Sequence, residues 1–194
     1  FEPVEAGLDE ADARKEAARC LLCDEMCDLC VTVCPNMANL SYGVSLRRVE
    51  LAGEDGEGAA EHFEVTQARQ IINIADACNE CGNCTTFCPT AGEPYRDKPR
   101  LCLDKALYAE ESDGALFIER EDDGSFVMHA KLGGKEHRLV RDESGGVLYE
   151  VEAERVHFTA DLEVVNGEPP ISLRPALELA TILEGLVTSM PYLW

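Results

Sequence analysis

The sequence predicts an α+β protein in two parts: a cysteine-bearing half of short elements, then a small antiparallel sheet closed by a carboxy-terminal helix. Three observations carry this. Nine of the ten cysteines fall between residues 20 and 88, in two dense runs. Residues 115–165 alternate apolar and polar side chains between Gly- and Asp-rich turns, the period of half-buried strands. Near the end, Leu173, Leu177, Ala180, Leu183 and Val187 recur at helical spacing and share one face.

In chain order, residues 9–22 read as a helix that Asp9 can cap. Glu10 and Asp12 suit its first turn, and Ala11, Ala13, Ala17 and Ala18 favour it. The first cysteine run follows at once. "NLSYGVSLRRVEL" (39–51) looks extended, and "AGEDGEGAAEHFE" (52–64) reads as an acidic, glycine-bearing loop. "ARQIINIADAC" runs as a short strand into the second cysteine run. "TAGEPYRDKPR" is loop, because Gly92, Pro94 and Pro99 oppose long regular structure. "ALFIER", "SFVMHAKL", "EHRLVR" and "VLYEVEAERVHFTADLEVV" then give a meander of four or five antiparallel strands. Ser172 is the expected cap of the final helix, and Trp194 the expected seal of an apolar edge.

The chain has 194 residues and a formal charge of −21. That charge opposes nucleic acid, which needs phosphate-neutralising Lys and Arg, and an anionic membrane surface. It suits solubility and a basic docking partner. The chain opens on Phe1, not Met, and is expected to be part of a longer polypeptide. No apolar run near the start reads as a secretory signal. The stretch "SLRPALELATILEGLVTSMPYLW" carries Arg174, Glu178 and Glu184, which makes it a core helix rather than a membrane span. A cytoplasmic location is therefore expected, with the cysteines as metal ligands or reduced thiols rather than disulfides.

Cysteine spacing names the chemistry. The second run is Cys78-x2-Cys81-x2-Cys84-x3-Cys88-Pro89, the spacing of bacterial two-cluster iron–sulfur proteins. Two-residue gaps wind a tight loop around one face of a cubane, and Gly82 suits close approach. The three-residue gap carries Cys88 to the far side of a helical turn, which Pro89 stops. Zinc sites usually show two separated pairs instead. In the first run, Cys27-x2-Cys30-x3-Cys34-Pro35 superimposes on Cys81, Cys84, Cys88 and Pro89, while Cys23 and Cys20 lie upstream with a one-residue slip. Duplication predicts crossed ligation: Cys23, Cys27, Cys30 and Cys88 on one 4Fe-4S cluster, and Cys78, Cys81, Cys84 and Cys34 on the other. Cys20 is then spare; the rival assignment keeps it and frees Cys23 or Cys27.

These motifs sharpen the expected fold to a bacterial-type 2[4Fe-4S] ferredoxin-like domain followed by the β-meander and helix. The expected divisions are 1–19 (linker and helix), 20–105 (two-cluster domain, with an insertion near 48–68) and 106–194. Two adjacent clusters make an electron wire. Abundant carboxylates should hold the potentials toward the low end of a range of roughly −700 to +450 mV. One rival reading is a cysteine-rich zinc or structural interaction domain. His62, His129, His137 and His157 show no ligand spacing, and Cys102 reads as a core thiol. Arg96, Lys98 and Arg100 gather positive charge that could dock a partner.

"IINIADACNECGNCTTFCP" resembles the second half of clostridial-type ferredoxins, and "GLDEADARKEAARCLLC" is similar to the segment that introduces cysteine motifs in the glutamate synthase small subunit. "CPNMANLSYGV", "CNECGNCTTFCP", "GEPYRDKPRL" and the final "PYLW" together resemble the carboxy-terminal ferredoxin region of the YgfK-type proteins named as selenate reductase subunits. The resemblance implies a larger flavoprotein oxidoreductase of anaerobic metabolism, with FAD and NAD(P)H bound outside this segment. The implied partner is that flavin/NAD(P)H domain, in the same polypeptide or complex, or another redox subunit. The resemblance also implies a second rival reading, part of a substrate-transforming reductase of purine or selenate metabolism. The stretch from Leu46 to Arg69 is longer than the family leads one to expect.

Overall fold

The computed structural model describes residues 7–17, 27–51, 61–165 and 172–194. The expectations for residues 18–26, Cys20 and Cys23 among them, and for 52–60 lie outside the described residues. A helix spans Glu10–Ala17, and the Asp9 carboxylate accepts from the Asp12 N–H at 2.8 Å, the cap the sequence asks for.

Ten strands follow. They are β1 (Asn39–Gly43), β2 (Arg47–Leu51), β3 (Glu61–Val65), β4 (Arg69–Ile74), β5 (Arg100–Cys102), β6 (Ala115–Arg120), β7 (Phe126–Leu132), β8 (Lys135–Arg141), β9 (Val147–Val151) and β10 (Glu154–Phe158). Eight of them build one sheet in the order β1-β4-β5-β6-β7-β8-β9-β10, and β2 pairs only with β3. The pairs β4–β5 and β5–β6 are parallel; the rest of the sheet is antiparallel. The five meander strands stand where their alternation places them. Three-residue β5, buried at every position, ties them to the cysteine half. The boundary expected at 105/106 thus falls within a continuous sheet.

Side chains alternate across a strand, so the sheet has two different faces. Leu101, Leu116, Ile118, Met128, Leu139 and Tyr149 join Tyr42, Ile72 and Ile74 in the main core. The helix Arg174–Ser189 covers this face with Leu177, Ala180, Leu183 and Leu186. It comes so close to β1 that a Cβ on Gly185 would meet the Gly43 carbonyl at 2.6 Å, so only glycine fits. Trp194 packs at the core's margin, edge-on to Phe126 at 6.1 Å. On the opposite face, Ile71 packs with Cys30, Cys84 and Tyr95, while Ala115, Phe117 and Cys102 pack with Tyr108 of the helix Lys105–Glu110. Burial pushes the Cys102 thiol up to about 11, as befits a core cysteine.

Three expectations of secondary structure need correction. The loop expected from Thr90 to Arg100 holds a helical turn, Pro94–Asp97, and its last residue opens β5. Part of the acidic stretch 52–64 is strand β3, where Phe63 is buried opposite Val49 and His62 and Glu64 face out. Its carboxylates hide a period-2 pattern. Ser172 does not cap the last helix: the N-cap is Leu173, without a side-chain bond. Pro175, at the second helical position, has no N–H for a capping oxygen to bind.

Candidate metal centre

Among the described residues, each cysteine run carries one helical turn. Leu29–Thr32 carries Cys30 and Asn83–Thr86 carries Cys84, both buried. Leu29–Thr32 follows Asp28, whose backbone is not left-handed (φ −129°). Asn83–Thr86 follows Gly82, whose φ of 77° is the left-handed conformation glycine adopts at no steric cost.

Four of the predicted ligands come together. Cys34, Cys78, Cys81 and Cys84 line one cavity with Asn39, Glu80, Gly82 and Tyr95. This crosses the runs, because three of the thiols belong to the second and one to the first. Among the described residues, no three His, Cys, Asp or Glu side chains converge as ligands of a single ion. A cubane instead spreads its ligand sulfurs over its corners, and four thiols around a cavity have the number and chemistry it takes. The donor set fits such a cluster.

Of the other set, Cys30 packs against Cys84, Val31 and Cys78, with Cys27 within electrostatic reach. Burial raises the Cys30 thiol, and the nearby Lys98 charge opposes that rise. Cys88 is held below its ordinary value by the Thr90 hydroxyl, helped by the Thr90 and Gly92 N–H groups. A low thiol value favours the thiolate, the form that binds metal.

Backbone N–H groups reach the sulfurs. Ala38 donates to Cys34 Sγ at 3.2 Å, and Gly92 donates to Cys88 Sγ at 3.3 Å. Buried Asn39 and Asn73 face each other across β1 and β4. Asn73 Nδ2 donates to Asn39 Oδ1 at 2.8 Å, and Asn39 Nδ2 donates to the Cys30 carbonyl at 3.0 Å. Sequence reasoning passed over both; an Asn at corresponding positions of two paired strands was the available signal.

The sequence groups Arg100 with Arg96 and Lys98 on one loop, either solvated or able to dock a partner. Arg100 is instead buried in β5, while Arg96 and Lys98 are exposed. Its guanidinium donates to Glu111 at 2.7 Å, to the Tyr95 carbonyl at 3.1 Å and to Glu80 at 3.3 Å. Of the histidines, His62 and His157 are exposed, and His129 stands 3.4 Å from Glu119. His137 is buried between Tyr149 Oη at 2.6 Å and the Leu132 carbonyl at 3.0 Å. No helix among the described residues is long and apolar enough to cross a membrane.

Comparison with known proteins agrees with this chemistry. Residues 70–132, which hold the second cysteine run, match the family described as "4Fe-4S dicluster domain". The chain is 42% identical over 92 residues to proteins named "Putative oxidoreductase YgfK" from Escherichia coli K12 and from Escherichia coli O157:H7. Those alignments cover 46% of this chain and 7% of each relative. No solved structure matches it.

Proposed function

We propose that this chain is an electron-transfer module carrying two 4Fe-4S clusters, relaying single electrons to or from the FAD- and NAD(P)H-binding part of a larger oxidoreductase. The observation that carries this reading is that Cys34, Cys78, Cys81 and Cys84 line one cavity. These four hold one cluster; Cys23, Cys27, Cys30 and Cys88 hold the other. A cluster supplies one-electron chemistry, and the protein sets its potential by burial, hydrogen bonds to sulfur and nearby charge.

The chain's own residues supply those controls. Ile71 and Tyr95 shield the buried cysteines from water, and the Ala38 and Gly92 N–H groups face the sulfurs of Cys34 and Cys88. The Asn73–Asn39 pair fixes the Cys30 carbonyl, and with it the first helical turn. Exposed Arg96 and Lys98 offer positive charge to a partner beside the cysteine turns. No bond-making chemistry is assigned to this segment.

The test is anaerobic purification with iron, acid-labile sulfide and zinc counted, then dithionite reduction followed by electron paramagnetic resonance. About eight iron atoms per chain, with coupled signals from two reduced clusters, is the expected result. Zinc without sulfide would end this reading in favour of a structural interaction domain.

A further inference from the structure

We propose that Arg100 is a positioning residue that clamps the loop holding Cys78 and Cys81 and, through its buried charge, raises the potential of the cluster bound there. The inference rests on the cluster reading given above. It begins from the register of the sheet. Arg100 pairs with Asn73 across β5 and β4, on the face that carries the cysteine turns, so its side chain extends under them rather than into the helix-covered core.

Two of its bonds go to the cavity wall. Glu80 lies between Cys78 and Cys81 and Tyr95 stands beside Cys84; both line the cavity with the four thiols. One guanidinium nitrogen, Nη1, reaches the Glu80 carboxylate and the Tyr95 carbonyl together. The other, Nη2, is anchored on Glu111, just beyond the helix Lys105–Glu110. Glu80 also has the uncommon φ of 53°, so its loop turns sharply where the guanidinium reaches it.

The charge balance points the same way. A buried cation is costly unless it is paired, and Arg100 is only 10% exposed at its side chain. Its one well-buried counter-ion is Glu111; Glu80 is half exposed and more distant. Its Nε is buried without a partner among the described residues. The Cys78 sulfur also lies within electrostatic reach, so an anionic, thiolate-ligated cluster would add to the negative charge that Glu111 and Glu80 already set around the guanidinium. Reduction adds a further electron to that cluster, and a buried cation nearby stabilises the added charge.

The sign of the effect separates this role from scaffolding. The full chain is purified anaerobically as wild type, Arg100→Gln, Arg100→Lys and Glu111→Gln. Iron and sulfide are counted, and both couples are titrated potentiometrically. Arg100→Gln should lower one couple by about tenfold in its one-electron equilibrium constant, or about 59 mV. Glu111→Gln, which removes the compensating negative charge, should raise that same couple. Arg100→Lys keeps the charge but loses the fork, and should fall between Arg100→Gln and wild type. A purely structural clamp would disturb the site in both Gln variants without opposite signs. Shifts of the same sign, or unmoved couples with both clusters retained, overturn the proposal. If Arg100→Gln fails to hold its cluster, Arg100→Lys and Glu111→Gln decide by the same signs. A wild-type chain without acid-labile sulfide ends the cluster reading as well; clusters with unmoved couples end only this one.

Discussion

The two cysteine turns finish alike and begin differently. After Cys34-Pro35 and after Cys88-Pro89, the chain passes through a non-glycine residue with positive φ, Met37 at 52° and Ala91 at 56°. In both, the next residue donates its N–H to the cysteine sulfur. In both, the N–H of the positive-φ residue also bonds the cysteine carbonyl at 3.2 Å. Before the helical turns the likeness fails: left-handed Gly82 leads into one and Asp28, outside that region, into the other. The difference teaches what is constrained. Each tail turns a backbone donor onto its own cysteine sulfur, and that geometry repeats. The entries reach their helical turns by different backbone conformations, so that part of the motif tolerates variation.

If the tails cross, ligand losses should not add as chain order would suggest. Each of Cys34→Ser, Cys78→Ser and Cys27→Ser should cost one cluster, lowering iron from about eight to about four per chain. The pair Cys34→Ser with Cys78→Ser should lose no more than either alone, since both serve one cluster. The pair Cys34→Ser with Cys27→Ser, although both lie in the first run, should lose nearly all iron. Iron and sulfide counts decide, and the reverse pattern would mean that each run holds its own cluster.

A smaller effect tests the support specific to the first turn. Asn39→Ala leaves the Cys30 carbonyl and the Asn73 amide, both in buried surroundings, without their partner. It should cost on the order of 2–3 kcal/mol in unfolding by denaturant. Adding Asn73→Ala should cost less than the sum, because the group that Asn39→Ala strands is then removed. Iron should leave the cluster bound by Cys30 faster than the other. Equal loss from both would mean that the Asn pair braces the whole sheet rather than the first turn.

The same contrast explains what the sequence could reveal. Spacing rules are local, so the cysteine runs could be read as iron–sulfur motifs. Period 2 is local too, and "ALFIER" marks β6 to the residue. Arg100 could not be placed, because its burial depends on a three-residue strand slipped between β4 and β6, and three residues show no period. In "YRDKPR" it looks like Arg96 and Lys98, yet it alone meets Glu111. The continuity of the sheet was hidden for the same reason: among the described residues, β5 alone joins the two halves of the sheet. Hairpin β2–β3 was half concealed by acidic composition, and the Asn39–Asn73 pair by the distance in sequence between its members.

Lys98 and Arg100 extend the comparison to charge. Lys98 lies within electrostatic reach of Cys30 and Cys88, assigned here to one cluster, as Arg100 does of Cys78 in the other set. Lys98 is exposed, however, and an exposed charge is screened by water and salt. Lys98→Gln should therefore lower the couple that Arg100→Gln leaves in place, by less than tenfold. Its shift should shrink as ionic strength rises, while that of Arg100→Gln should persist. Potentiometric titration at two salt concentrations separates them, and a single couple responding to both residues would undo the assignment.

The smallest expected effect bears on the repeated tail itself. Met37 and Ala91 are both exposed, so their positive φ is not imposed by packing of their side chains. It follows from the need to turn the next N–H onto a sulfur. Glycine adopts that conformation freely, whereas an L side chain is strained there. Met37→Gly and Ala91→Gly should therefore each stabilise the chain, by about 1 kcal/mol at most, after allowing for the greater freedom of glycine in the unfolded state. The two gains should match within about 0.5 kcal/mol and add in the double variant, because the sites share no partner. A gain at one position and a loss at the other, read from denaturant midpoints, would show that the tails are alike in outline but not in what constrains them.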